Sequence, residues 1–135
     1  MAALPLYRAK KRRVPIIAQP EGRLQAAIVQ HLKLCGVPGV LWFHPPNEAR
    51  RSYGLAASLK AIGMVAGVAD LIILHQGRAY ALEVKAKGGK QSVSQIEFEA
   101  NCAAAGVPYA CVDNIAQALT VLVGWQVIHG MMVAA

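Results

Sequence analysis

A short stretch, GVADLIILHQGRAYALEVKAK at residues 67–87, constrains the fold more than any other part of the sequence. Two apolar runs flank Gln76 and Gly77, a pair that is typical of the tight turn in a β-hairpin. A two-residue connection places His75 opposite Arg78, and the same register places Asp70 directly opposite Glu83. Facing residues of an antiparallel pair have Cβ atoms roughly 4.5–5.5 Å apart. The pattern therefore predicts two carboxylates side by side at the end of an otherwise apolar hairpin.

This carboxylate pair indicates a metal site. Two facing carboxylates repel each other unless a cation lies between them, and a hard divalent ion is the simplest candidate. Lys85 follows Glu83 by two residues and projects from the same face, whereas Val84 points into the core and offers its backbone carbonyl as a further ligand. Such a set suits phosphodiester hydrolysis, with Lys85 stabilising the charge that develops on the phosphate. The alternative is an exposed strand end with a solvated Asp70 and a Glu83–Lys85 pair.

The remaining pattern predicts an α/β fold. Apolar spacing and glycine or proline stops predict four helices, at 20–35, 55–62, 94–105 and 114–124. Strands are expected at 40–44, 70–75, 78–85 and 109–112. In this order, a short mixed β-sheet flanked by helices on both faces is the natural architecture.

Charge is concentrated at the start of the chain. The net charge is +7, and five of the 14 basic residues lie between positions 8 and 13: Arg8, Lys10, Lys11, Arg12 and Arg13. A basic arm over residues 1–19 predicts phosphate contacts, and a solvated tail is the alternative. The core domain is then expected at 20–124. An apolar tail at 125–135 remains, as a partner contact, a dimer element or a frayed end.

Other classes of protein are disfavoured by the sequence. No run of about 18 apolar residues predicts a membrane span, so no membrane partner is expected. The early charges follow a short apolar stretch, which is the wrong order for a signal peptide. Cys35, Cys102 and Cys111 are widely spaced and show neither a zinc nor a disulfide pattern. We expect reduced, buried thiols in a cytoplasmic protein without a small-molecule cofactor.

The chain contains, in order, an acid at the start of the first helix, H-x-x-N-E, G-x-x-x-G-x-x-D, E-x-K and S-x-x-Q. This ordered set resembles the VRR-NUC family of the PD-(D/E)XK nuclease superfamily. The resemblance covers about residues 20–122, and the ordered set is far more specific than the E-x-K alone. Ala69 stands where the superfamily has a proline, a position that mainly shapes the backbone. The matching residues are Gly63, Gly67 and Asp70 for G-x-x-x-G-x-x-D, Glu83 and Lys85 for E-x-K, Ser92 and Gln95 for S-x-x-Q, His44, Asn47 and Glu48 for H-x-x-N-E, and Glu21 with Gln25 in the first helix.

The resemblance implies a restriction-endonuclease-like core and a nuclease that depends on Mg²⁺ or Mn²⁺. Small stand-alone members of the family suggest a homodimer that cuts branched DNA such as Holliday junctions. A non-cleaving nucleic-acid-binding module, or a subunit of a repair or phage assembly with the same fold, is the alternative function. The implied catalytic residues are Asp70, Glu83, Lys85 and Gln95; the metal ligands are Asp70, Glu83, Val84 and Glu21; and the DNA contacts outside the arm are Arg50, Arg51, Lys87 and Lys90.

Two of these residues also have a purely structural interpretation. Gln95 lies three residues after Ser92, so the pair fits a capping box at a helix start. Glu21 lies in the first turn of a predicted helix, where an acidic residue is favourable in any protein. Both interpretations stay open at the level of sequence.

Overall fold

Helices and strands alternate along the part of the chain that the computed structural model describes, residues 13–46 and 53–130. The helices are α1 (Pro20–Cys35), α2 (Tyr53–Ala61), α3 (Val93–Ala104) and α4 (Ile115–Gly124), and a 3₁₀ turn (Ile16–Ala18) precedes α1. The strands are β1 (Leu41–Phe43), β2 (Leu71–His75), β3 (Arg78–Val84) and β4 (Tyr109–Val112). All eight elements lie close to their predicted positions.

The sheet is mixed, as predicted, with the strand order β1-β2-β3-β4. β1, β2 and β3 pair in antiparallel fashion, and β4 runs parallel to β3. The β2–β3 hairpin has the predicted register, with His75 opposite Arg78 and Leu71 opposite Leu82. Gln76 and Gly77 have φ angles of 49° and 75°. Positive φ at both positions is what a type I′ turn requires, and its twist matches that of the flanking strands.

Alternation along β3 sends successive side chains to opposite faces of the sheet. Leu82 and Val84 belong to the larger core, which α1 and α4 cover. Ala81 belongs to a smaller cluster on the other face, beneath α3. Glu83 follows the same alternation as Ala81, so it faces α3. The register of one hairpin thus decides that the acidic side chain lies under the helix that carries Gln95.

The two ends of the described chain pack closely on the domain. The 3₁₀ turn lies against the start of α1, where Gly22 leaves room for the Ile16 carbonyl. After α4, Val127 and Ile128 are buried in the larger core, and the His129 N–H donates to the Cys35 carbonyl at 2.8 Å. The sequence assigned 125–135 to a tail outside the domain. Val127 and Ile128 instead belong to the core, and Ile128 pairs with Gly36 at the end of α1.

The cysteines fit the expectation of buried thiols only at Cys102. Cys35, Cys102 and Cys111 are free thiols, although only Cys102 is fully buried. Within the described ranges, no helix has both the length and the apolar character needed to cross a membrane.

Candidate active site

Asp70 and Glu83 meet where the β2–β3 hairpin opens. Asp70 immediately precedes β2, and its Oδ2 accepts a hydrogen bond of 2.8 Å from the backbone N–H of Val84. That bond turns the Asp70 carboxyl toward the end of β3. The Asp70 carboxyl lies close enough to Glu83 to raise the pKa of the Glu83 carboxyl. The structure thus brings the two predicted acids together.

Glu83 is far more buried than the sequence indicated. Acids at the end of a hairpin are ordinarily exposed to solvent, but Glu83 is 2% exposed. The reason is tertiary: α3 covers this face of the sheet. Burial, followed by the nearby negative charge of Asp70, raises the pKa of Glu83 from 4.5 to about 8. Oε2 of Glu83 is buried without a hydrogen-bond donor in the described residues.

Lys85 lies beside the pair, as its spacing from Glu83 predicts. Its Nζ is 3.9 Å from Oε1 of Glu83, and its side chain is 13% exposed. The backbone N–H of Lys85 donates to the Val112 carbonyl at 2.9 Å, which fixes the end of β3 against β4. The ammonium lowers the pKa of Glu83, but burial outweighs it. Lys85 therefore supplies a largely enclosed positive charge next to the two acids.

Gln95 caps α3 and also points at the candidate site. Its Oε1 accepts from the Ser92 N–H at 2.8 Å, and its own N–H donates to Oγ of Ser92 at 3.3 Å, which completes a capping box. Its Nε2 donates to Oε1 of Glu83 at 3.0 Å. The side-chain amide of Gln95 therefore caps the start of α3 and also contacts Glu83.

Gly67 allows the loop before Asp70 to approach α3. Its φ is +75°, and a Cβ at this position would lie 2.3 Å from the carbonyl carbon and oxygen of Ser94. Only glycine fits here without moving backbone. Gly67 therefore helps to hold Asp70 and the first turn of α3 at a fixed distance.

Glu21 reaches the site from the first turn of α1. Its Oε1 accepts a hydrogen bond of 3.2 Å from the backbone N–H of Ala86, directly after Lys85. Glu21 is also near enough to Glu83 to raise its pKa. A cavity of about 720 Å³ is lined by Glu21 and Asp70 together with Gln25 and Arg13. Of the five basic arm residues that were predicted to contact phosphate, Arg13 alone falls within the described chain, and it lines this cavity.

His44 adds a contact that the predicted set of catalytic residues and ligands did not include. Its Nδ1 donates to the backbone carbonyl of Asp70 at 2.5 Å. Together with Ser94 and Gln95 it also lines a second cavity of about 260 Å³ that reaches Asp70. In the sequence, His44 could have been recognised as a site residue only from its place in the H-x-x-N-E segment. Asn47, Glu48, Arg50 and Arg51 lie outside the described residues.

The loop after Lys85 is held at both ends. The Ala86 carbonyl accepts from the Gly89 N–H at 2.8 Å, and Nε2 of Gln91 donates to Glu99 Oε2 at 3.2 Å and to Tyr109 Oη at 3.0 Å. Burial raises the pKa of Tyr109. Lys87 and Lys90 are exposed on this loop. Gln91 and Tyr109 carry no signal in the sequence, because no local pattern links the loop after Lys85 to the parallel strand β4.

The donor set suits a divalent cation that also takes ligands from outside the chain. In the described ranges, no three His, Cys, Asp or Glu side chains converge closely enough to hold an ion by themselves. Two adjoining carboxyls, one with a buried oxygen that lacks a donor, nevertheless match the oxygen ligands that hard cations prefer. Asp70, Glu83 and the Val84 carbonyl would hold such an ion, with water or a phosphate oxygen in the other positions. Glu21 already accepts a hydrogen bond from the Ala86 N–H, so it is less available as a further ligand.

Two solved structures have the same fold as this chain. One is described as "VRR_NUC domain", with a TM-score of 0.55 and 21% identity, covering 79% of this chain and 97% of the other. The second is described as "VRR_NUC domain protein", with a TM-score of 0.64 and 21% identity, covering 80% and 88%. No family model and no curated protein matches the sequence. The likeness confirms the predicted restriction-endonuclease-like core.

Proposed function

We propose that this chain, which has the fold of VRR_NUC domains, is a metal-dependent endonuclease that hydrolyses phosphodiester bonds in DNA. The observation that carries the proposal is the pair of adjoining carboxyls, Asp70 and Glu83, with Lys85 beside them. Burying Glu83 beside a second acid, the half-buried Asp70, is unfavourable in a purely structural hairpin. The arrangement has a chemical use when a cation and a phosphate lie next to it.

Each residue of the site has a specific task in this proposal. A bound Mg²⁺ or Mn²⁺ would polarise the scissile phosphate and make water a stronger nucleophile. Asp70 is oriented by the Val84 N–H, and Glu83 by the amide of Gln95, so both carboxyls are held in place before substrate arrives. Lys85 stabilises the additional negative charge on the phosphate in the transition state, because its ammonium is enclosed and poorly screened.

The proposed substrate is branched DNA, four-way junctions in particular, and the proposed active form is a homodimer. A four-way junction needs two symmetric cuts, and a twofold dimer supplies two sites. The edge strand β1 supports self-association, since Leu41 and Phe43 are 58% and 47% exposed. The proposed DNA contacts are the arm from Arg8 to Arg13, Arg50, Arg51, Lys87 and Lys90.

Cleavage assays test the proposal directly. The chain is incubated with labelled linear, flap and four-way DNA in Mg²⁺, Mn²⁺ or EDTA, and binding is followed by gel shift in Ca²⁺. We expect cleavage of branched DNA with Mg²⁺ or Mn²⁺ and none with EDTA. Asp70→Asn and Glu83→Gln should abolish cleavage but retain DNA binding, while Glu97→Gln, an exposed acid on α3, should behave as the wild type.

Two outcomes would contradict the proposal in different ways. If the wild type binds DNA but cuts no substrate with either metal, the chain is a binding module with a nuclease fold. If the Asp70→Asn variant cuts as fast as the wild type, the chemistry belongs to other residues. Light scattering at micromolar concentrations tests the dimer separately, and a monomer throughout would remove that part of the proposal.

A further inference from the structure

Four residues before α1 form an exposed apolar surface. Val14, Ile16 and Ile17 are 60%, 58% and 65% exposed. Together with Pro15 they are called the apolar turn below. Single exposed apolar side chains are ordinary in proteins, but three within four residues concentrate apolar surface at one place.

The apolar turn is held rigidly. The Ala18 and Gln19 N–H groups donate to the Pro15 and Ile16 carbonyls at 2.9 and 3.0 Å. Nε2 of Gln19 donates to the Val14 carbonyl at 3.2 Å. A Cβ on Gly22 would lie 1.8 Å from the Ile16 carbonyl oxygen, so the turn touches the backbone of α1. The exposed side chains are thus presented from a fixed platform.

The apolar turn forms a wall of the candidate active site. Val14, Pro15 and Ile16 line the 720 Å³ cavity that also contains Asp70 and Glu21. On its other side, Ile16 and Ile17 line an adjoining cavity of about 370 Å³ that reaches His44. Any polymer whose phosphate lies at Asp70 would therefore have a neighbouring group against these apolar side chains.

We infer that the apolar turn contacts an unpaired nucleobase next to the scissile phosphate, while Arg13 contacts the backbone. The inference rests on the proposed function and specifies how that site would select its substrate. Apolar wedges such as Ile or Pro insert between unstacked bases in other proteins that deform DNA. Displacing a base from a duplex costs free energy, and the cost is least for a base that is already unpaired. The turn therefore favours DNA with unpaired bases at a branch.

Charge supports DNA as the occupant over a second copy of the chain. Arg13 adjoins the apolar turn and lines the same cavity, and four more basic residues precede it in the sequence. A patch flanked by positive charge complements a polyanion and would repel an identical patch.

The first test removes the apolar surface and leaves the acids intact. The variant is Ile16→Ser combined with Ile17→Ser. The matched control is Leu34→Ser, which changes an apolar residue that is 74% exposed near the other end of α1, roughly 20 Å away by helix geometry. Binding is measured in EDTA, on a junction carrying 2-aminopurine at the branch and on linear duplex. This measurement is independent of cleavage.

We expect the double variant to lose about tenfold or more of its preference for the junction over the duplex, since the apolar contact is lost. The fluorescence change of 2-aminopurine on binding should also disappear, while the salt dependence of binding stays the same. The control should match the wild type. An unchanged preference and fluorescence in the double variant would overturn the inference. So would a changed oligomeric state in sedimentation, which would assign the patch to a second copy.

The second test moves the apolar turn without changing its side chains. Gly22→Ala places a Cβ against the Ile16 carbonyl, yet alanine favours α1 over glycine, so the helix should persist. Gly54→Ala in α2 is the control, because its Cβ would meet nothing within 4 Å. We expect Gly22→Ala to lose the preference for the junction over linear duplex, and we expect Gly54→Ala to keep it. If Gly22→Ala keeps the full preference, a fixed wedge at this position is refuted.

Discussion

The burial of Glu83 makes a specific prediction about stability in the absence of metal. The pKa of Glu83 is raised from 4.5 to about 8 in the folded protein. Between these values the folded chain binds a proton that the unfolded chain has released. The free energy of unfolding should therefore fall as pH rises from 4.5 to 8. This contribution is fully present below the unfolded pKa and is lost as pH passes the folded pKa.

The magnitude follows from the size of the pKa change. A tenfold change in an ionisation constant corresponds to roughly 1.4 kcal/mol, so Glu83 accounts for a loss on the order of 4 kcal/mol across this range. Glu83→Gln keeps the shape of the side chain and cannot ionise. Relative to the wild type, the variant should gain stability progressively as pH rises, with the largest difference near pH 8.

Urea unfolding in EDTA between pH 5 and 8.5 measures this effect. The expected result is a wild-type stability that falls with pH, while Glu83→Gln changes much less over the same range. Glu97→Gln is the control, because Glu97 is exposed on α3, and it should follow the wild type. Parallel pH profiles for the wild type and Glu83→Gln would refute the argument that burial keeps this acid protonated.

Three other predictions concern the site and the arm. Lys85→Ala should slow cleavage at least about 100-fold and leave DNA affinity nearly unchanged, because the lysine charge acts mainly in the transition state. Single-turnover kinetics measure the rate, and gel shifts measure the affinity. Deleting residues 1–12 removes four positive charges. If all four contact phosphates, the slope of log affinity against log salt concentration should fall by about three to four. An unchanged slope would mean that the arm is a solvated tail. Gly67→Ala should destabilise the protein by about 1–3 kcal/mol and reduce activity, because residue 67 has a positive φ and a Cβ there would clash with the Ser94 backbone. Thermal melting measures the loss of stability, and a variant as stable as the wild type would contradict the predicted strain.

The hairpin was predictable because its information is local. A two-residue turn fixes the register, and the register brings Asp70 and Glu83 together. The helices were equally accessible, since their apolar spacing and their glycine or proline stops lie within each segment. The capping box at Ser92 and Gln95 is a pattern of four residues, and the structure has it.

The features that sequence analysis missed depend on packing between distant segments. The depth of Glu83 is set by α3 crossing above it, which no pattern around Glu83 encodes. The apolar character of Val127 and Ile128 was evident, but their place in the core depends on where α4 ends relative to α1. Tyr109 joins the loop at Gln91 only because β4 runs parallel to β3.

The two contacts of Gln95 link the proposed active site to the fraying of a helix end. The first turn of a helix opens more readily than its middle, and when this turn of α3 opens, the hydrogen bond from Gln95 to Glu83 opens with it. A cap of the Ser92 kind is worth about 1 kcal/mol, which corresponds to roughly a fivefold change in the ratio of closed to open turns. The fraction of molecules whose acid is correctly held at any instant is therefore set by a helix cap. In the proposed nuclease, a change at Ser92 could therefore alter the rate without altering any group proposed to touch the phosphate.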